Sequence, residues 1–311
     1  MSFKTFIRAW DDFWFKPISP LSIALYRIAY GILVLIYGTF LSLDLLTWFG
    51  NKGVLSVSTA NTLVVVPRLN LLAIFPQNDF FVVLFFSIFM LAALSLTLGL
   101  FTRASAAIVF MSLATFHHRN PLIFNCSDNF LRLAAFYLIF SEAGSALSLD
   151  RLRRIANGKE SRHLEPKAPW GQRLIQIQLA AIYLCTVIWK INGISWLNGT
   201  AVYYSSRIEL FWHFPIPGIF EYLWLIKLVT WGTLILEFAL GALVWFTEFR
   251  YPILILGLLF HLTLEYSMFM QLFQPIILTA YITFIEPNDL EHGLKACKKW
   301  LFNIFSAGEL R

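Results

Sequence analysis

Polar and ionisable residues interrupt the apolar stretches of this chain, and Lys190 is the most informative of them. It follows an uncharged run over residues 174–189 and opens a short polar segment, residues 190–199. An ionisable group inside a membrane costs about 2.5 to 3.5 kcal/mol on insertion scales and must recover that cost through partners or solvent. Lys190 is therefore predicted to be either an anchor that reaches the membrane surface or a base that takes a proton.

A polar stripe leads back along the predicted helix from Lys190. Hydroxyl and amide groups gain nothing from contact with lipid tails, so this stripe is predicted to face the interior of a helix bundle. Steps of three and four residues pass through Thr186, Tyr183, Leu179, Gln176 and Gln172. The same spacing predicts a second polar face farther along the chain, made of Thr230, Thr233, Glu237 and Gly241.

Two further pairs of ionisable residues are spaced one helical turn apart. His261 and Glu265 stack on one face of a helix, where they can form a hydrogen-bonded pair or supply two metal ligands. A metal would need further ligands, and no His-Glu-x-x-His run supplies them, so no metal site is predicted. Asp128 and Arg132 are most simply an intrahelical ion pair that lowers the insertion cost of both groups.

The elements that carry these residues follow from the composition. Hydrophobic residues make up 58% of the chain and charged residues only 14%, which is typical of a membrane protein. The sequence predicts an all-α, polytopic transmembrane helix bundle of about eight spans, because several apolar stretches approach the length of about 20 residues that crosses a bilayer. These stretches are residues 21–43, 80–102, 104–116, 120–141, 174–189, 228–246, 251–264 and 266–285.

Amphipathic helices are predicted at both ends of a single domain, residues 1–311. In residues 1–19, aromatic residues recur at helical spacing while charged residues face away. Residues 287–311 repeat this pattern, so both segments are predicted to lie in the membrane interface, the second of them on the cytoplasmic surface. The helix bundle itself is predicted to occupy residues 20–286.

The basic residues indicate how the chain is oriented in the membrane. When the spans are threaded alternately, basic residues concentrate in the two tails and in the loop at residues 150–169. By the positive-inside rule, that side and both termini are predicted to be cytoplasmic. The net charge of +6 is then explained by topology and by contact with anionic membrane lipids. No nucleic-acid motif is present, so no nucleic-acid partner is predicted.

Several segments resemble known membrane proteins. Residues 20–31 look like the opening helix of the vitamin K-dependent gamma-carboxylases and of the related bacterial HTTM (horizontally transferred transmembrane) proteins, and residues 119–133 are similar to a run in the bacterial members. Residues 183–199 resemble the carboxylase segment that holds the catalytic lysine, and Phe260-His261 resembles a later Phe-His of these enzymes. By their order and spacing, these matches identify the chain as an HTTM domain protein, expected in a bacterial cytoplasmic membrane.

The resemblance implies a chemistry for the polar residues. Lys190 matches the lysine that deprotonates reduced vitamin K, and His261 is assigned with it to a catalytic role. Burial among apolar neighbours favours the neutral form of an amine, which is the form that accepts a proton. The implied cofactor is a quinone or hydroquinone such as vitamin K, which would enter from the lipid. Substrate-binding roles are assigned to Arg207, Trp196, Glu237, Asn192, Asp128 and Arg132.

The chain also departs from the carboxylases. Ser127 stands where they carry a histidine and Asn192 replaces an aspartate, and a counterpart of their large lumenal domain is not expected. Gamma-carboxylation of glutamate is therefore not predicted. Two functions remain open: a membrane enzyme that uses Lys190 as a base on a quinol or other lipid-soluble substrate at the extracytoplasmic side, and a non-catalytic subunit that assists maturation or export of a peptide or partner protein. Transport along the polar stripes is a weaker third alternative.

Overall fold

A computed structural model describes residues 2–62, 69–211, 213–215 and 217–308 of the chain. Throughout these residues the regular structure is helical and contains no β-strand; the backbones of Ile18 and Lys167 form a single isolated bridge. The predicted all-α fold is confirmed. This outcome follows from the composition, since a helix satisfies its own backbone hydrogen bonds in an apolar environment.

The longer helices are labelled here in chain order, and the short helical turns between them are left unlabelled. They are α1 (Phe3–Phe15), α2 (Leu21–Leu43), α3 (Asp79–Leu98), α4 (Thr102–Arg119), α5 (Cys126–Phe140), α6 (Leu149–Ala156), α7 (Trp170–Ile191), α8 (Leu223–Phe238), α9 (Thr247–Ser267), α10 (Phe273–Ala280) and α11 (Pro287–Gly308).

Within the described residues, four helices are long and apolar enough to cross a membrane. They are α2, α3, α7 and α8, the last counted together with the π-helical turn that extends it to Leu243. The chain is thus a multi-pass membrane protein. The predicted stretches at 104–116, 120–141 and 251–264 coincide with α4, α5 and α9, which are shorter or more polar, and the count of about eight spans stays a prediction.

The prediction of one continuous span over residues 266–285 is wrong. Helix α9 already ends at Ser267, and Met268 is extended. Gln271 lies in the left-handed region with a φ of 52°, and α10 begins only at Phe273. The absence of charge made this stretch look continuous, but Pro275 is best tolerated in the first turn of a helix and so favours a new helix there.

The chain forms two compact units, each described by itself. The first comprises Met1–Phe124, Leu131–Arg173 and Ile285–Arg311. In it α3 packs against α2 and α4. Gly31 allows α2 to approach α3, because a Cβ at this position would lie 2.3 Å from the Thr97 hydroxyl oxygen. An aromatic core forms around the fully buried Phe116, whose ring centroid lies 4.9 Å from that of Phe49.

Asp150 ties α6 to the start of α4 within the first unit. Its carboxylate accepts hydrogen bonds from the backbone N–H groups of Phe101 and Thr102 at 2.8 Å and from the Thr102 hydroxyl at 2.9 Å. Burial alone would raise the pKa of the Asp150 carboxyl, but these hydrogen bonds and the nearby Arg154 charge outweigh it and lower the pKa below its ordinary value. The carboxylate therefore caps free N–H groups at a helix N-terminus.

Helix α1 forms where the sequence predicts an amphipathic terminal helix. In α1 no residue is buried, and the large apolar side chains of Phe3, Phe6 and Trp10 are exposed. Arg173 stacks over the Phe13 ring at 4.9 Å, within the first unit. Exposed aromatic residues on one face of such a helix suit the boundary between headgroups and acyl chains.

The second unit comprises Asn125–Phe130 and Leu174–Phe284. It contains α8, α9 and α10, and α9 packs against both α10 and the π-helical turn Ala239–Leu243. Gly241 lies in that turn, where a Cβ would come within 2.6 Å of the Leu184 side chain on α7. The close approach brings the polar faces of α7 and α8 together.

Candidate functional site

The polar stripe of α7 is buried, which confirms the prediction from its spacing. Gln172, Gln176, Leu179 and Tyr183 are all buried, and Thr186 is half-buried. Within the second unit, the Gln176 amide donates to the carbonyl oxygen of Thr283 at 2.6 Å. The polar face of the next long helix is buried as well, with Thr230, Thr233, Glu237 and Gly241 as members.

Lys190 and Glu237 form an ion pair within the second unit. The Lys190 ammonium donates to Glu237 Oε1, and the two side chains are 23% and 7% exposed. Lys190 Nζ also lies over the Trp196 ring, 4.7 Å from its centroid. The sequence predicted an amine among apolar neighbours, whereas the structure places a carboxylate and an aromatic face beside it.

His261 lies at the centre of a second buried group of polar side chains. Its Nδ1 contacts Gln274 Oε1, and its Nε2 lies 2.7 Å from the Tyr183 hydroxyl. The Tyr183 hydroxyl is also 2.7 Å from the Tyr281 hydroxyl. Because Gln274 Oε1 can only accept, the imidazole donates through Nδ1, accepts at Nε2 from Tyr183, and leaves Tyr281 to donate to Tyr183. Tyr281 therefore donates to Tyr183, Tyr183 donates to His261, and His261 donates to Gln274.

Thr186 connects the two groups. Its hydroxyl lies 2.8 Å from the backbone oxygen of Tyr183 and 3.3 Å from Glu237 Oε2. We call these residues the polar cluster: Lys190, Glu237, Thr186, Tyr183, His261, Tyr281 and Gln274.

The pairing expected between His261 and Glu265 is replaced by other contacts, since both ring nitrogens of His261 face Gln274 and Tyr183. Two buried polar atoms here have no hydrogen-bond partner, Gln274 Nε2 and Glu265 Oε2. A buried polar group without a partner is costly, so such atoms mark places where water or a ligand is expected to bind.

Gly257 sets the position of Tyr281 in the polar cluster. A Cβ at Gly257 would lie 2.5 Å from the Tyr281 hydroxyl oxygen and 2.9 Å from the Leu240 side chain. We expect Gly257→Ala to displace Tyr281, break its hydrogen bond to Tyr183 and lower the free energy of unfolding by about 1 to 3 kcal/mol. Equilibrium unfolding of the purified protein by titration with dodecyl sulfate measures this.

Gly232 on α8 is the matched control, since nothing lies within 4 Å of a Cβ built there. Gly232→Ala should be neutral or stabilising by up to about 1 kcal/mol, because alanine is the better helix former. Equal destabilisation by the two substitutions would show that the contact with Tyr281 does not matter.

The other predicted site residues of the second unit occupy different surroundings. Trp196 contacts Lys190 as described, but Asn192 is exposed and its amide donates to the Ile188 carbonyl at 2.7 Å, so it caps the end of α7. Arg207 stacks 3.9 Å from the Tyr203 ring centroid and donates to the Tyr203 carbonyl. The substrate-binding roles assigned to Trp196, Asn192 and Arg207 stay predictions.

The predicted pair on α5 falls in two different units. Asp128 lies in the second unit, where its Oδ2 accepts from the Asn125 backbone N–H at 2.9 Å, and Ser127 hydrogen-bonds to the Asn125 side chain. Arg132 lies in the first unit, where its Nη1 is 3.1 Å from His118 Nε2. The substrate-binding roles assigned to Asp128 and Arg132 stay predictions.

Sequence reasoning missed four members of the polar cluster as site residues, and Thr186 was recognised only as part of the polar stripe of α7. Tyr183 was recognised as part of a buried stripe, whereas Tyr281 and Gln274 were treated as ordinary residues of an apolar span. The available signal was the sequence Gln274-Pro275, because a proline just after a polar residue indicates a helix start and hence a break in the span. The π-helical turn that follows Glu237 was also missed, and such turns often occur at functional sites.

Comparison with known proteins supports the assignment made from the sequence. The family model of the HTTM domain matches residues 15–288, which includes every member of the polar cluster. No solved structure matches the chain. Since the match covers most of the chain, this multi-pass helical protein is a member of the HTTM domain family.

Proposed function

We propose that this chain is a membrane enzyme in which Lys190 and Glu237 together accept a proton from a lipid-soluble substrate of the hydroquinone class. The observation that carries the proposal is the ion pair at the edge of a buried polar cluster. Lys190 is partly exposed while Glu237 is nearly buried, so a substrate arriving from the membrane meets the amine first. The resemblance of residues 183–199 to the lysine segment of the gamma-carboxylases supports the same assignment.

Lys190 can act as a base once its ammonium has released a proton to water at the membrane surface. A neutral amine then stands beside the Glu237 carboxylate. Transfer of the hydroquinone O–H proton to Lys190 Nζ gives a phenolate and restores the neutral ammonium–carboxylate pair. Glu237 therefore stabilises the product of the proton transfer, and no electron is moved in this step.

A quinone or hydroquinone fits the residues present. Such a ring has two oxygens that need hydrogen-bond partners and an apolar body that suits aromatic walls. Lys190 offers a donor beside the Trp196 ring, and the unpaired Gln274 Nε2 is a further buried donor in the same unit. When bound, the ring supplies an acidic O–H and, after deprotonation, redox chemistry with an oxidant.

The proposal places the site toward the extracytoplasmic side of a bacterial cytoplasmic membrane. This orientation follows from the basic residues of the tails and of the loop at 150–169, which indicate cytoplasmic termini. Lys190 lies in the last turn of α7, which starts after that basic loop and therefore finishes on the opposite side.

The alternative is a non-catalytic membrane subunit that assists the maturation or export of a peptide or partner protein. One observation favours it: Lys190 already has a carboxylate and an aromatic ring as partners, which is the arrangement of a structural ion pair. A pair that holds α7 against α8 would be retained in a protein that has no reaction to catalyse.

The test uses the full chain in proteoliposomes with a prenylated naphthohydroquinone under anaerobic conditions. Deprotonation of the bound hydroquinone shifts its absorbance to longer wavelength without any electron transfer. We expect Lys190→Met and Glu237→Gln to reduce formation of the phenolate at least about 100-fold, since a positioned base contributes about 100- to 10,000-fold.

Lys227→Met is the matched control, because Lys190 and Lys227 are the two lysines of the second unit. Lys227→Met should behave as the unmodified chain. Undiminished phenolate formation by folded Lys190→Met protein would exclude Lys190 as the base. If the unmodified chain neither binds the naphthohydroquinone nor retains a quinone on purification, the substrate class is wrong and the alternative is favoured.

A further inference from the structure

The first unit contains a cavity that the polar cluster does not use. Its volume is about 210 Å³, and it lies among the segment after α2, the segment before α3 and the end of α4. Its aromatic walls are Phe49, Phe75 and Phe81. A cavity of about 150 Å³ can hold benzene, so this one has room for a benzene ring with a small substituent.

Arg119 lines this cavity with a buried guanidinium that is incompletely paired. The residue is only 3% exposed. Its Nη2 donates to the Leu55 carbonyl oxygen at 2.9 Å, while its Nη1 is buried and has no hydrogen-bond partner. Leaving a charged donor unpaired away from water costs more than leaving a neutral one, so this atom is expected to meet an acceptor when the site is filled.

Asn70 adds a second unpaired polar atom to the same cavity. Its Oδ1 is buried without a hydrogen-bond partner. Among the lining residues that the structure describes, Arg119 carries a positive charge and none is a carboxylate. A guanidinium with one unpaired nitrogen, an amide oxygen and three aromatic rings surround one space, which suits a ligand with an anionic group and an apolar body.

We propose that this cavity binds a small oxyanion attached to an aromatic or other apolar body, with Arg119 as the residue that holds the anion. A carboxylate suits a guanidinium because both are planar and each N–H···O bond is assisted by charge. The unpaired Oδ1 of Asn70 only accepts, so it holds a hydrogen-bond donor on the body of the ligand. Phe49, Phe75 and Phe81 enclose the body.

The inference does not rest on the proposed function of the second unit. The lining residues that the structure describes all belong to Met1–Phe124, so the two proposals can be tested separately. In the predicted topology α2 leaves the cytoplasmic side, and both its end and the end of α4 are extracytoplasmic. The ligand therefore comes from outside the cell or from the outer leaflet.

The test uses the full chain in nanodiscs of phosphatidylcholine and two fluorine-labelled probes. The probe 4-fluorobenzoate carries the anion, and 4-fluorobenzamide has nearly the same shape without charge. We expect fluorine NMR titrations to show saturable binding of the benzoate and at least about tenfold weaker binding of the amide. Arg119→Met should weaken benzoate binding by at least about tenfold and leave amide binding nearly unchanged.

Arg103→Gln is the matched control, since Arg103 lies in the first turn of the same helix with a side chain that is 66% exposed. It should bind benzoate as the unmodified chain does. If Arg119→Met does not fold, Ala73→Trp replaces it as the test, because Ala73 is an exposed residue of the cavity wall and a large side chain there narrows the space. Ala73→Trp should abolish saturable binding of both probes.

A second series of nanodiscs with phosphatidylglycerol identifies the source of the oxyanion. The site takes the phosphate of an anionic lipid if phosphatidylglycerol has two effects. It abolishes benzoate binding to the unmodified chain, and it raises the thermal stability of the unmodified chain but not of Arg119→Met. If the lipid changes neither, the site takes a soluble carboxylate. Equal affinity for benzoate and benzamide, or unchanged benzoate affinity in Arg119→Met, would overturn the proposal.

Discussion

Replacing Lys190 with methionine is expected to lower the free energy of unfolding by about 3 to 5 kcal/mol, because it leaves a buried carboxylate without its cation. Glu237 is 7% exposed on its side chain, whereas Lys190 is 23% exposed and loses less solvation in the folded protein. Methionine keeps most of the length and apolar body of the lysine, so the loss of stability reflects the removal of the positive charge. Unfolding in dodecyl sulfate, followed by tryptophan fluorescence, measures the change.

The double variant Lys190→Met with Glu237→Leu is expected to recover most of that loss. Once the carboxylate is gone, no unpaired charge remains, and an apolar pair of similar volume is often as stable as a buried ion pair. The cycle built from both single variants and the double variant then yields an interaction energy. If the double variant loses as much stability as the two single variants together, Lys190 and Glu237 do not stabilise the protein as a pair.

This cycle separates the two functions that remain open. In a structural role, the double variant restores both stability and biological function. In a catalytic role, it restores stability while proton transfer stays lost, because methionine accepts no proton. A stable but inactive double variant therefore distinguishes an enzyme from a subunit more sharply than either single substitution.

Replacing Arg27 with methionine is the second large effect that we expect. Arg27 is fully buried in the first unit, and its guanidinium donates to the carbonyl oxygens of Ala143 at 2.8 Å and Leu147 at 2.6 Å. Its loss leaves two carbonyl groups without these donors, each a penalty of about 1 to 3 kcal/mol, so we expect a total of about 3 kcal/mol or more. Thermal unfolding of the purified protein measures the change.

Two control variants accompany Arg27→Met. Arg27→Lys keeps the charge but places only one nitrogen near two carbonyl groups, so it should restore part of the stability. Arg8→Met removes an exposed arginine of the amphipathic α1 and should change the stability of the folded protein by less than about 0.5 kcal/mol. If Arg27→Met is as mild as Arg8→Met, the buried guanidinium does not hold the turn at residues 143–147.

The fold class and much of the burial pattern were predictable from the sequence. Long uncharged stretches predict helices that cross a membrane. The spacing of Tyr183, Thr186 and Lys190 indicates which side of α7 is polar. Helical periodicity is a property of one element, so it can be obtained without knowledge of its neighbours. The buried faces of α7 and α8 confirm it.

Hydropathy alone could not locate the helix ends or the irregular turns. It missed the break between Ser267 and Phe273, because a stretch without charges is apolar whether or not its backbone is helical. It likewise missed the π-helical turn Ala239–Leu243. Both features depend on local backbone geometry that apolar composition does not encode.

Lys190 was therefore predictable as an unusual residue, but its partner was not. Glu237 lies on a different helix, and which polar faces meet depends on close approaches such as Gly241 against Leu184. The unpaired Nη1 of Arg119 and the unpaired Nε2 of Gln274 are likewise properties of the folded chain. Sequence spacing determined which faces are polar, whereas tertiary packing decided which groups are paired, because pairing depends on distances between helices that periodicity within one helix does not contain.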